Sequence, residues 1–196
     1  MKKNKAWLED AATAENNYVR AVIFKADHPA HAEARETALR AKEMAGRALG
    51  ESHPCYGVAL LNLAAYYDVI EKNATESERH VEQGLKVLGP DHCEQAEIFF
   101  WLGVHHFTED SERARATELW NAAAGILRRS GVNQRLLGDV LVSLSVCHYD
   151  REPNKAAAFL QEALGIQRKH FGVTHKIVKD TEARLAASLR AAANSD

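Results

Sequence analysis

Residues 50–67, GESHPCYGVALLNLAAYY, decide the fold of this chain. Gly50 is typical of a helix end, Ser52 is a candidate N-cap, and Pro54 suits the first turn of a new helix. The apolar residues that follow occupy the i, i+3, i+4 and i+7 positions of one helix face: Leu60, Leu63, Ala64 and Tyr67. The stretch therefore predicts a helix stop followed by a new helix with one apolar face.

The same arrangement occurs four times along the chain, at intervals of 39, 42 and 41 residues. The connector glycines are Gly50, Gly89, Gly131 and Gly172. Three residues after them stand His53, His92, Gln134 and His175. A leucine with a small neighbour follows each connector: Leu63–Ala64, Leu102–Gly103, Leu144–Ser145 and Leu185–Ala186. A period near 40 residues indicates stacked helical units.

Composition and period together predict an all-α fold. Alanine is abundant, Gly and Pro stand between the helical segments, and runs of β-branched residues are scarce. We expect one right-handed α-solenoid of antiparallel helix pairs over residues 1–196. Its predicted parts are an irregular first pair (about 5–50), regular repeats (51–89, 90–131 and 132–172) and a C-terminal capping helix (173–193).

The repeat register also predicts caps and core positions. The residues before the histidine column are common N-cap formers: Ser52, Asp91, Asn133 and Thr174. The connector histidines are expected to cap or to pack. Positions that face the partner helix are expected in the core: Leu60, Phe99, Leu141, Tyr67, His106 and His148.

Two segments carry a resemblance to a known family. Residues 50–54, GESHP, and 60–67, LLNLAAYY, are similar to tetratricopeptide repeats of the kinesin light chain type. Residues 163–166, ALGI, match a run in the second helix of those repeats, and residues 84–87, GLKV, match it loosely. The resemblance covers about residues 30–190. It implies a scaffold in which the first helix of each pair lines a concave groove.

Under that resemblance the groove of this chain is largely apolar. Counted from the leucine column, the groove offsets are −2, +2 and +5, and Asn62 is added as a donor to a guest backbone. The predicted peptide- or protein-binding residues are Leu61, Asn62, Ala65, Phe100, Val104, Phe107, Val142, Val146 and Tyr149. An apolar groove favours a hydrophobic peptide or an amphipathic helix as guest. Two alternatives stay open: curvature buries these side chains against their neighbours, or the helix at 5–26 fills the groove.

Charge and motifs exclude several functional classes. The net charge is −2, and residues 50–127 carry 13 acidic against 5 basic residues. This disfavours nucleic acid and a strongly acidic partner. No HExxH, GxSxG or phosphate-loop motif occurs, so we predict no catalytic, cofactor or metal site. No apolar run reaches the roughly 18 residues of a membrane helix, and three cysteines without a CxxC pair suit a reducing cytoplasm.

The sequence therefore predicts a cytoplasmic adaptor or regulator, not an enzyme, which holds an apolar peptide or protein segment in its groove. The alternative is a structural subunit whose apolar face is an obligate interface in a homo-oligomer or a larger complex. Exposed apolar surface on this scale is rarely without a role.

Overall fold

The computed structural model describes residues 2–25, 31–108 and 112–194, with side chains except those of residues 2–5, 31 and 32. Within these residues the chain forms helices and no strand, which confirms the all-α class. The helices are α1 (Lys2–Ile23), α2 (His31–Leu49), α3 (Pro54–Val69), α4 (Ala74–Leu88), α5 (Cys93–Phe107), α6 (Arg113–Ser130), α7 (Gln134–His148), α8 (Pro153–Phe171) and α9 (Lys176–Ala193). Pro29, whose fixed φ angle would suit the first turn of the second helix, lies outside the described residues.

The chain divides into two compact units, Met1–His105 and His106–Asp196. In the first unit α1 packs against α2 and α3, α2 packs against α3, and α3 packs against α4. In the second unit α6 packs against α7, α7 against α8, and α8 against α9. Neighbouring helices along the chain are thus neighbours in space, as in a repeat protein. The single solenoid over residues 1–196 and its repeat boundaries stay a prediction.

The predicted core positions are buried. The leucine column is almost completely shielded from solvent at Leu63, Leu102 and Leu144. The positions expected against the partner helices are also buried: Leu60, Phe99, Leu141, Tyr67, His106 and His148. On α9, by contrast, Leu185 is half-buried and Ala186 is exposed. That pattern suits a last helix that packs on one side only.

Helices α3 and α9 begin one residue later than predicted. Their N-cap residues are His53 and His175. His53 Nδ1 accepts a hydrogen bond from the backbone N–H of Cys55, and His175 Nδ1 accepts one from Ile177, both at 3.2 Å. The imidazole nitrogen therefore replaces the side-chain oxygen of an ordinary N-cap. The expectation that Ser52 and Thr174 are the N-caps is wrong, since the histidine column supplies the caps.

Of the other two connectors, one uses a histidine in the same way and one uses an asparagine. His92 Nδ1 accepts from the N–H of Glu94 at 3.4 Å. At the third connector the histidine is replaced by Gln134, and Asn133 is the N-cap, as predicted. Asn133 accepts from the N–H of Leu136 with its own backbone in the left-handed region, at φ 50°.

Helix α3 is buried around its whole circumference, because glycines of the adjoining helices let its side chains approach. A Cβ atom added to Gly84 of α4 would lie 2.8 Å from Leu61 Cδ2 and 3.1 Å from the Gly57 carbonyl oxygen. Such distances are shorter than van der Waals contact, so only glycine fits at position 84.

We expect Gly84→Ala to destabilise the protein by about 1–3 kcal/mol, because the added methyl group overfills a packed site. The matched control is Gly165→Ala in α8, where an added Cβ has nothing within 4 Å. The control should be neutral or stabilising by up to about 1 kcal/mol, through helix propensity. Thermal and urea unfolding give both values. Equal stability of the two variants would contradict the packing of Leu61 over Gly84.

His80 is a buried titratable group in the core of the first unit. Its ring stacks on Tyr67, with centroids 5.2 Å apart, and its Nδ1 lies 2.8 Å from the carbonyl oxygen of Glu76. A carbonyl only accepts, so Nδ1 carries the proton. Burial disfavours the charged imidazolium and lowers the pKa of His80 below its usual value.

This shift predicts a loss of stability in mild acid. Between the lowered pKa of folded His80 and the unfolded value of about 6.5, the unfolded chain binds more protons than the folded one, so the free energy of unfolding falls as pH decreases. His80→Phe should reduce this dependence while keeping a ring against Tyr67. His170→Phe, at an exposed site on α8, should leave it unchanged. Melting temperatures measured from pH 7.5 to 5.5 would refute the assignment if the two variants behaved alike.

Candidate functional site

Three of the nine predicted binding residues lie inside the first unit. Leu61, Asn62 and Ala65 of α3 are each 0% exposed. Leu61 packs over Gly84, and α1 packs along α3. These residues offer no surface to a partner in this structure, and the expectation of an open groove along α3 is wrong there. The physical reason is that neighbouring helices of the same unit cover the helix.

Asn62 does bind a backbone, but that of its own chain. Its Nδ2 donates to the backbone carbonyl oxygen of Asn16 at 3.0 Å and to Asn16 Oδ1 at 3.1 Å. Asn16 Nδ2 in turn donates to the carbonyl oxygen of Cys55 at 3.1 Å. Both asparagines are buried. Helix α1 therefore occupies the position predicted for a guest, which is one of the two alternatives left open by the sequence.

The predicted residues of α5 in the first unit are half-buried. Phe100 and Val104 keep part of their surface exposed. Trp101, which the offsets did not select, is 39% exposed and stacks on Phe24 with centroids 6.1 Å apart. Its ring also meets Phe100 edge-on at 5.3 Å. An aromatic cluster is thus accessible on this unit.

The second unit contains a half-open cavity of about 370 Å³ that brings three predicted residues together. Phe107, Val146 and Tyr149 line it, and Leu160 and Ala187 complete its apolar wall. Val146 is 38% exposed and Tyr149 is 40% exposed. Phe107 is held by Trp120, at 5.4 Å between centroids. The predicted Val142, on the same helix as Val146, is half-buried and does not line the cavity.

Polar groups are placed around this apolar cavity. Arg113 lies over the Phe107 ring, 5.1 Å from its centroid. Arg184 and Asp150 also line the cavity, so both charge signs are present. Two buried serines differ: Ser145 Oγ donates to the Val142 carbonyl at 2.6 Å, whereas Ser188 Oγ has no hydrogen-bond partner. Apolar walls with a few polar groups are typical of a ligand or peptide site.

Comparison with known proteins identifies the fold. The chain is similar to a crystal structure of nearly identical TPR-like repeats from Podospora anserina, in a protein described as a kinesin light chain. The two share 16% sequence identity over 93% of this chain and 86% of the other, with a TM-score of 0.61. This chain has a tetratricopeptide-like fold. No protein-family profile matches it, and no curated protein matches it in sequence.

Two buried histidines of this tetratricopeptide-like chain have structural partners. His148 Nδ1 lies 2.6 Å from Glu152 Oε2, and this hydrogen bond lowers the pKa of Glu152. His106 makes the corresponding contact with Glu112. Among the described residues no group of three or more His, Cys, Asp or Glu side chains could hold a metal ion. No helix in the described ranges is long and apolar enough to cross a membrane.

The residues that sequence reasoning missed lie mainly on α9. Arg184, Ala187 and Ser188 share one helix face at i, i+3 and i+4, and all three line the cavity. The repeat pattern predicts only a capping role for this helix, because it supplies no partner helix for it. The spacing of Arg184, Ala187 and Ser188 shows from sequence that they share a helix face. The sequence does not show which helix that face contacts, so it could not place these residues at a cavity.

The two cavity serines allow a matched pair of substitutions. Ser145→Ala should destabilise the protein by about 0.5–1.5 kcal/mol, because it removes a hydrogen bond. Ser188→Ala should be neutral or stabilising, because a buried hydroxyl without a partner is itself unfavourable by about 1–3 kcal/mol. Urea unfolding of the unliganded protein measures both changes. A larger loss for Ser188→Ala than for Ser145→Ala would show that Ser188 has a partner after all.

Proposed function

We propose that this chain is a protein-binding module whose second unit holds an apolar side chain of a partner in the cavity between Phe107, Val146 and Tyr149. The observation that carries the proposal is the cavity itself, half-open and about 370 Å³ in volume, with two large apolar side chains exposed at it. A cavity of this size accommodates one or two side chains of a peptide or amphipathic helix.

The fold supports a binding role at a coarser level. TPR-like repeats are generally scaffolds for protein–protein interaction. The cavity also favours binding over catalysis. No histidine or lysine that could act as a base is among the described residues that line it. We accordingly propose a scaffold and not an enzyme.

The size of the cavity sets the expected affinity. Full burial of one large apolar side chain stabilises a complex by roughly 1.5–3 kcal/mol. One or two such anchors supply roughly 1.5–6 kcal/mol, less than the about 8 kcal/mol of a micromolar complex, so micromolar binding also needs contacts outside the cavity. The phenol of Tyr149 offers an amphipathic contact of the kind that is enriched at interfaces.

The charged residues around the cavity indicate what kind of partner segment it would bind. Arg113, Arg184 and Asp150 around the cavity suit a segment with mixed or low charge. The excess of acidic residues over positions 50–127 disfavours a strongly acidic partner. Three free cysteines fit a reducing compartment, and we place the interaction in the cytoplasm.

The alternative is a structural subunit whose apolar face is a permanent interface in a homo-oligomer or larger complex. The exposed cluster of Trp101, Phe24 and Phe100 on the first unit favours it. The two functions differ in their response to dilution, because an adaptor exchanges its partner and an obligate subunit does not.

Val146→Asp tests the proposal. An aspartate at this position would place a carboxylate against the apolar side chain of the partner, so we expect at least a tenfold loss of affinity. Partners captured from native cytosol by the wild type, and lost by the variant, would be cut into overlapping peptides. Fluorescence anisotropy would then measure the dissociation constant of each apolar peptide for both proteins.

The matched control is Val173→Asp, which changes another exposed valine of the second unit, in the connector before α9. It should bind like the wild type, and circular dichroism should show both variants folded. If Val146→Asp retained every partner with unchanged affinity, the cavity would not be the binding site.

A further inference from the structure

Helix α1 carries a second apolar face, which is open to solvent. Trp7 is 66% exposed and Tyr18 is 49% exposed. Between them, Ala14 is exposed and Ala11 is half-buried. At 100° per residue these four side chains fall within a sector of about 60°. The opposite face of α1, with Ala12, is buried in the first unit. We call the four exposed-side residues the aromatic stripe (Trp7, Ala11, Ala14 and Tyr18).

The aromatic stripe has the same pattern in both directions along the helix. An aromatic residue stands at each end, two alanines stand in the middle, and the spacings are 4, 3 and 4 residues. A two-fold axis that crosses the helix midway between Ala11 and Ala14 therefore places Trp7 opposite Tyr18 of a second copy. It also places Ala11 opposite Ala14 of that copy. Self-complementarity of this kind is what an isologous dimer interface requires.

We propose that the aromatic stripe is a homodimer interface, in which α1 packs antiparallel against α1 of a second copy of this chain. The alanines allow close approach of the two helix axes, and an aromatic pair covers each end. The same axis brings Asp10 towards Glu15 of the second copy. Glu15 already pairs with Arg40 of α2 at 3.4 Å, so a guanidinium accompanies each acidic pair.

The exposed apolar residues of α9 do not share this geometry. On α9, Ile177 is 37% exposed and Leu189 is 47% exposed. They are twelve residues apart, which separates them by about 120° around the helix. They cannot face one partner helix together. The stripe on α1 spans about 17 Å of a helix about 33 Å long. A single helix pair buries less than the roughly 800 Å² per partner of a standard interface, so the dimer is weak and reversible.

Sedimentation equilibrium of the full chain from micromolar to near-millimolar concentration tests this interface. The mass should rise from the monomer value of 21.7 kDa towards twice that value. Trp7→Glu and Tyr18→Glu should each weaken the dimer at least tenfold, because each places a carboxylate against an aromatic ring. Leu189→Glu removes an equally exposed apolar residue elsewhere and should dimerise like the wild type.

A charge pair tests the antiparallel register. The double variant Trp7→Glu/Tyr18→Glu should stay monomeric at all concentrations. The double variant Trp7→Lys/Tyr18→Glu should form a dimer in the same concentration range, because opposite charges meet across the two-fold axis. Its dimer affinity should be at least ten times that of Trp7→Glu/Tyr18→Glu. Equal behaviour of the two double variants would overturn the register. A wild type that is monomeric throughout, or a dimer lost with Val146→Asp and kept with Trp7→Glu, would overturn the interface. None of these outcomes decides whether the cavity binds a partner, which the peptide titration measures separately.

Discussion

Close packing around the first helix of a pair is the constraint on which each unit depends. Helix α3 has Leu61 and Ala65 fully buried, and it reaches that state because Gly84 leaves room for a leucine. Helix α7 of the second unit is buried on one side, through Val140, Leu141 and Leu144, and keeps Val146 partly exposed on the other. A side chain that supports the unit in this way cannot also be presented to a partner. Only residues that the neighbouring helices leave uncovered are therefore available to bind a partner.

In the second unit the cavity lies beside α9 and results from the small residues of that helix. This helix presents Ala187 and Ser188 at the place where larger apolar side chains would fill the space beside Phe107. Small residues on the last helix thus leave Val146 and Tyr149 partly uncovered. Ser188 is small enough for this position, but its buried hydroxyl has no hydrogen-bond partner there. The proposed binding site is in this sense an incomplete core.

Much of the fold could be predicted from sequence, because local signals agreed with one another. The leucine column with small neighbours gave the core, and Pro54 and Pro153 stand at the first positions of α3 and α8, as their fixed φ angle favours. The site was only partly predictable. Offsets along one helix selected Val146 and Tyr149, which are exposed, and Phe107, which lines the cavity, but they also selected Leu61, which is buried. Nothing in α3 itself reveals that α4 has a glycine opposite, or that α1 lies along it.

The connector before α7 has a further consequence for any attempt to rearrange these repeats. His53 and His175 cap their helices from an extended backbone, at φ −77° and −66°. Asn133 caps α7 from the left-handed region, where asparagine is among the few residues that are readily accommodated. Changing Gln134 to histidine alone would not convert one arrangement into the other, because the backbone differs as well as the side chain. The connector and the start of the helix depend on each other, so chimaeric repeats should exchange the whole segment from the connector glycine to the position of the histidine column.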